Sequence, residues 1–129
     1  MNASPTVLYR AWTEHFDRWF AAPGAVLMTP AVNEVCFWEV HFEYSRYPHY
    51  GRFLRLERDR LVELTWVSPG TKGYETVLTV ELSPAGRRTR LHITHAGFPD
   101  EASRAEHEQA WPDVLKQLDH RMAGERTES

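Results

Sequence analysis

The sequence predicts an α+β fold in which a curved antiparallel sheet wraps around one long C-terminal helix. Residues 89 to 122 read as a strand, a tight break at Gly97-Phe98-Pro99 and a closing helix. In that helix Trp111, Leu115, Leu118 and Met122 recur at spacings of four, three and four, a single stripe that must lie on something apolar. Upstream segments supply that partner: they alternate with period two and are rich in Trp, Tyr and Phe. A sheet closed on a helix in this way tends to enclose a pocket, so the chain reads as a ligand container before it reads as an enzyme.

The elements follow in order. Ser4-Pro5 is a helix start, with Ser4 as N-cap and Pro5 in the first turn, where its missing N–H costs nothing. Val7, Leu8, Ala11 and Trp12 repeat at helical spacing, and Thr13 is expected to cap a second short helix carrying Phe16, Trp19 and Phe20. Residues 35 to 44 place Cys36, Trp38, Val40, Phe42 and Tyr44 on one strand face and Glu39, His41 and Glu43 on the other. Arg46-Tyr47-Pro48 is expected to be a connector. A second strand spans 49 to 57 with Leu54 and Leu56 together, and a third spans 61 to 67 with Val62, Leu64 and Trp66 together. Residues 68 to 73 form a loop with Pro and Gly at turn positions. The fourth strand, 74 to 82, aligns Tyr74, Thr76, Leu78, Val80 and Leu82; the fifth, 88 to 95, aligns Thr89, Leu91, Ile93 and His95. Asp100 caps the following helix, Pro112 predicts a break near Trp111, and the tail from Ala123 is expected to fray.

The bulk properties bound the function. At 129 residues the chain is long enough for one domain, numbered 1–129 with an ordered core of about 4–122. A formal net charge of -3 leaves no basic footprint for nucleic acid. No apolar run reaches the roughly 20 residues a membrane span needs, and the first residues lack a signal-peptide pattern. The single Cys36 has no disulfide partner in the chain, which points to a reducing, cytoplasmic compartment.

Several blocks together resemble a known family: Ala3-Ser4-Pro5 to Trp12-Thr13, Trp19-Phe20, Tyr50-Gly51-Arg52-Phe53-Leu54, Arg60 to Trp66, Glu75 to Val80, Thr89-Arg90-Leu91, Thr94 to Pro99 and Trp111-Pro112. The chain resembles the SRPBCC superfamily from about Ala3 to Met122. Within it, the chain is similar to the bacterial branch homologous to the C-terminal domain of activators of the heat-shock protein 90 ATPase. The resemblance implies a START-like, helix-grip fold whose cavity takes lipids, polyketides, flavonoids and other hydrophobic molecules. It also allows two other roles, a cyclase-like or hydrolase-like enzyme and a chaperone partner. Relatives usually carry a first strand before the Ala-Ser-Pro turn, whereas only Met1 and Asn2 precede it here. A missing strand would bare its neighbour's backbone edge, so a homodimer at that edge or a lowered stability is expected.

Candidate ligand-binding residues come from the inward faces. The expected walls are Trp38, Phe42, Leu64, Trp66, Leu78, Trp111, Leu115 and Leu118, each of which can equally be plain core. Tyr74 and Thr76 can offer hydroxyls, as pockets of this kind need only a few polar groups. By parity His95 points inward, where an imidazole can orient a ligand hydroxyl or act as a general base. The plainer alternative for His95 is a buried ring satisfied by its neighbours. No catalytic set is assigned and no cofactor is expected. The histidines show no metal-ligand spacing, and His92 and His95 fall on opposite strand faces. Ser68 and Ser83 lie in turns without a nucleophile elbow. Gly70-Thr71-Lys72-Gly73 links two strands, unlike a phosphate-binding loop.

Overall fold

The computed structural model describes residues 1–42 and 44–123, with the backbone alone for Phe42. The expectations for the Phe42 side chain, for Glu43 and for the tail after Ala123 lie outside the described residues. Helix α1 spans Pro5–Thr13 and starts as expected: the Ser4 hydroxyl accepts the Val7 N–H at 3.3 Å, and Val7, Leu8, Ala11 and Trp12 are buried. Thr13 does not cap a second helix. It closes α1, donating its hydroxyl to the Tyr9 carbonyl at 2.9 Å one turn back. The chain then makes only a 3-10 turn, Phe16–Arg18, which packs Phe16 and Trp19 inside.

Six antiparallel strands follow in simple meander order: β1 Val26–Leu27, β2 Val35–Phe42, β3 Ser45–Glu57, β4 Leu61–Trp66, β5 Thr76–Ala85 and β6 Arg88–Ala96. Arg46-Tyr47-Pro48 is not a connector but part of β3, which pairs with β2 from Phe42↔Ser45 to Val35↔Arg52. Pro48 is tolerated there because its nitrogen has the parity of Tyr50, whose N–H points to Val67 and away from β2, where β4 no longer reaches. A bulge between Phe53 and Arg55 shifts the face of β3. Phe53, rather than Leu54 or Leu56, is therefore the fully buried side chain. Gly51 lets β3 approach β4, since a Cβ there would stand 2.4 Å from the Thr65 carbonyl oxygen.

On β5 the alternation holds, with Thr76, Leu78 and Val80 buried; on β4 Val62, Leu64 and Trp66 are buried as expected, but so are Leu61 and Thr65 on the other face. Strand β5 begins at Thr76, two residues later than expected, so Tyr74 lies outside it and is exposed. On the outer edge of β6, Met1 and Thr89 exchange two backbone hydrogen bonds, at 2.6 and 2.9 Å. No strand precedes α1 among the described residues.

Helix α2, Glu101–Met122, closes the concave face of the sheet. Asp100 is its N-cap, with its carboxylate accepting the Ser103 N–H at 2.8 Å. The expected break at Pro112 does not occur, and the helix is continuous through it. Pro112 costs one intrahelical bond on an exposed face, where water can serve the freed carbonyl, while Trp111 and Leu118 on either side are held in the core. The helix-grip α+β architecture expected from the sequence is therefore the one observed. No helix among the described residues is long and apolar enough to cross a membrane.

Candidate ligand-binding site

The space between sheet and helix is divided. Its middle is filled by rings: Trp38 meets Phe16 at 4.8 Å and Trp66 at 4.9 Å, Trp66 meets Trp111 at 5.4 Å, and Trp12 meets Trp19 at 4.8 Å, all edge to face. The indole N–H groups of Trp12, Trp38 and Trp66 are sealed here without a hydrogen-bond partner among the described residues. Trp19 and Trp111 do find acceptors, the Ala11 carbonyl and His95.

Open space remains on either side of α2. The larger opening is a groove of about 740 Å³ between β6 and the helix. Its apolar lining comes from Met1, Ile93, Phe98, Trp111, Pro112 and Leu115. Arg104, Glu108, Lys116 and Asp119 stand around it, and three of these four are already engaged. Arg104 pairs with Glu101 at 2.6 Å and Glu108 at 2.5 Å, while Asp119 accepts the Asn2 N–H at 2.7 Å. A smaller pocket of about 280 Å³ lies on the β3 side of the helix, around His49.

His95 is the polar feature of the larger groove, and both its nitrogens are occupied. The Trp111 indole N–H, which can only donate, reaches Nδ1 at 3.3 Å, so Nδ1 carries the lone pair. The proton then sits on Nε2 and is donated to Thr76 Oγ1 at 2.7 Å, whose own hydrogen goes to the Trp66 carbonyl at 2.7 Å. Burial, helped by the neighbouring His107, pushes the His95 pKa down to about 3. The ring is thus a fixed neutral spacer between strand and helix. As a general base it would first have to give up Trp111.

Of the residues expected to touch ligand, His95, Trp111 and Leu115 line the groove. Thr76 sits behind His95 as its acceptor. Trp38, Leu64, Trp66, Leu78 and Leu118 are closed into the packed core, and exposed Tyr74 corrects the expectation that its hydroxyl faces inward. Met1, Phe98 and His107 line the groove and were not anticipated. Phe98 carried a readable signal, an aromatic side chain at the break between the last strand and the helix.

A six-stranded antiparallel sheet gripping a C-terminal helix, with an apolar groove along that helix, is the architecture of the SRPBCC superfamily. The chain belongs to the family described as Activator of Hsp90 ATPase homolog 1-like protein, whose model matches residues 2–123. Among proteins of curated function, none matches the chain. Solved structures share the fold. A Chromobacterium violaceum protein superposes with a TM-score of 0.80 at 20% identity, over 97% of this chain and 94% of that one. CalU16 from Micromonospora echinospora gives 0.71 at 21% identity, over 96% and 72%. DynU16, described as a putative protein in the dynemicin biosynthetic locus, gives 0.74 at 15% identity, over 93% of this chain and 43% of that one.

Proposed function

We propose that this protein holds a hydrophobic small molecule, of lipid, aromatic or polyketide-like kind, in the groove between β6 and α2, and performs no chemistry on it. The observation that carries this reading is the groove itself: about 740 Å³ of space with largely apolar walls. Each 100 Å² of apolar ligand surface removed from water contributes about 2.5 kcal/mol, offset by the cost of association. A hydrophobic product or intermediate suits such walls, and the place of the fold relative DynU16 in the dynemicin biosynthetic locus is in keeping with a small-molecule ligand. The buried free thiol of Cys36 suits a cytoplasmic setting.

Two other readings are weaker. A cyclase or hydrolase using His95 needs a free nitrogen on the ring, and both are committed to Trp111 and Thr76. A chaperone-partner role rests on the family description, and stimulation of a chaperone ATPase by the purified protein would support it. The binding reading is tested by calorimetry against fatty acids, flavonoids and aromatic polyketides, using wild type and Leu115→Glu. Uptake of one class by wild type and its loss in the variant support the groove. Uptake unchanged by the variant removes it as the site.

A further inference from the structure

The smaller pocket, on the β3 side of α2, has a different chemistry from the groove. Its walls are Phe20, Val40, Tyr47 and Pro69, and its polar members are His49, Ser68 and His107. His49 is 9% exposed and cannot turn: its ring stacks on Trp38 at 5.4 Å and meets Trp66 and Phe20 edge-on at 5.3 and 5.7 Å. Its Nδ1 lies 2.9 Å from the Tyr47 carbonyl oxygen, which accepts only, so the proton is on Nδ1 and Nε2 carries a lone pair. That Nε2 bonds to none of the described residues. It is also not among the sealed side-chain atoms that lack a partner among the described residues, which are the indole nitrogens of Trp12, Trp38 and Trp66 and one oxygen of Asp59. The atom therefore keeps open surface, and the pocket is where His49 meets open space.

His107 repeats the arrangement from the helix side. Its Nδ1 donates to the Ser103 carbonyl at 2.8 Å, leaving Nε2 as a second acceptor. The ring faces Gly70, where a Cβ would stand 3.1 Å from its Cε1 and 3.4 Å from its Nε2. The pocket thus carries two imidazole acceptors among apolar and aromatic walls. About 280 Å³ suits a one-ring molecule.

We propose that this pocket is a second binding site, meeting the groove only at His107, for a compact neutral one-ring ligand that donates an O–H to His49 Nε2, a phenol in chemical class. A phenol presents one strong donor on an apolar ring, which matches a fixed acceptor between aromatic walls. An ether of the same shape presents no donor and leaves Nε2 unpaired, which a buried acceptor penalises.

The test uses 4-ethylphenol and 4-ethylanisole with the full chain, read by calorimetry and by the imidazole ¹⁵N resonances. The expected result is saturable binding of the phenol that moves His49 Nε2, with binding of the ether at least tenfold weaker. His49→Phe keeps a ring against Trp38 and is expected to lose the phenol preference, whereas Leu115→Trp, which fills the groove, is expected to leave it intact. Equal binding of the two probes by wild type, or no binding at millimolar concentration, overturns the proposal whether or not His49→Phe folds. Phenol shifts confined to Ile93, Phe98 and Leu115, and abolished by Leu115→Trp, would assign the ligand to the groove instead and overturn the second site while leaving the first standing.

Discussion

Trp111 on α2 donates its indole N–H to Nδ1 of His95 on β6 at 3.3 Å, joining helix to sheet through one directional bond beside the groove. Beyond it the chain of donors continues through Thr76 to the Trp66 carbonyl, so every polar atom in the series is satisfied. An imidazole placed this way stabilises the grip of the sheet on the helix rather than offering itself to a substrate.

Replacing Trp111 by Phe keeps a ring in the wall and removes the donor. The expected cost is about 1 kcal/mol from the lost hydrogen bond, measured by urea unfolding. Because the bond favours neutral His95, its removal should also raise the His95 pKa. An NMR titration in which the variant and wild type coincide would contradict the bond.

Stability should fall in mild acid. Burial depresses His95 from 6.5 to about 3 and His49 from 6.5 to about 4. In the folded protein both stay neutral, while the unfolded chain takes up protons as pH drops through 6.5. The stabilisation is therefore complete above about pH 6.5 and is lost below it, down to about pH 4 for His49 and about pH 3 for His95, by about 1 kcal/mol per histidine per pH unit. Denaturation curves at pH 7.5 and 5 check the sign, and equal midpoints would contradict it.

Gly51→Ala should be among the most damaging single changes. The added methyl meets the Thr65 backbone oxygen at 2.4 Å and Cys36 Sγ at 3.3 Å, so two paired strands must separate. A loss of roughly 3 kcal/mol or outright misfolding is expected, read as the thermal midpoint.

At the start of α2, the carboxylate of Asp100 both caps the helix and meets Lys72 at 2.5 Å on the surface. Asp100→Asn keeps the cap and loses the ion pair, whereas Asp100→Ala loses both. Because exposed ion pairs contribute little, the Asn variant should melt near wild type and the Ala variant clearly below it. The reverse order would show that the ion pair dominates.

The sequence carried the parts of this fold that depend on spacing. The stripe Trp111–Leu115–Leu118–Met122, the Ser4 and Asp100 caps, and the alternation of β5 and β6 are all readable from one chain, because each is a local pattern. What escaped depends on neighbours. Pro48 looks like a strand breaker until one knows that β4 stops short of it, and Pro112 looks like a helix breaker until packing on both sides is seen. The bulge that favours Phe53 over Leu54 and Leu56 leaves no mark in the alternation. The site was half legible for the same reason. Parity placed His95 inward, but only the packed rings show that Trp38 and Trp66 fill the centre and leave space beside α2.

The most direct test of ligand binding in the groove is a ¹H–¹⁵N titration of the five indole N–H groups with the fatty acid, flavonoid and polyketide panel. Trp111 alone of the five lines the groove. Its resonance should shift and saturate with a ligand of the right class while those of Trp12, Trp38 and Trp66 stay in place. Movement of the core indoles with Trp111 unchanged, or no movement with any compound, would contradict binding in the groove.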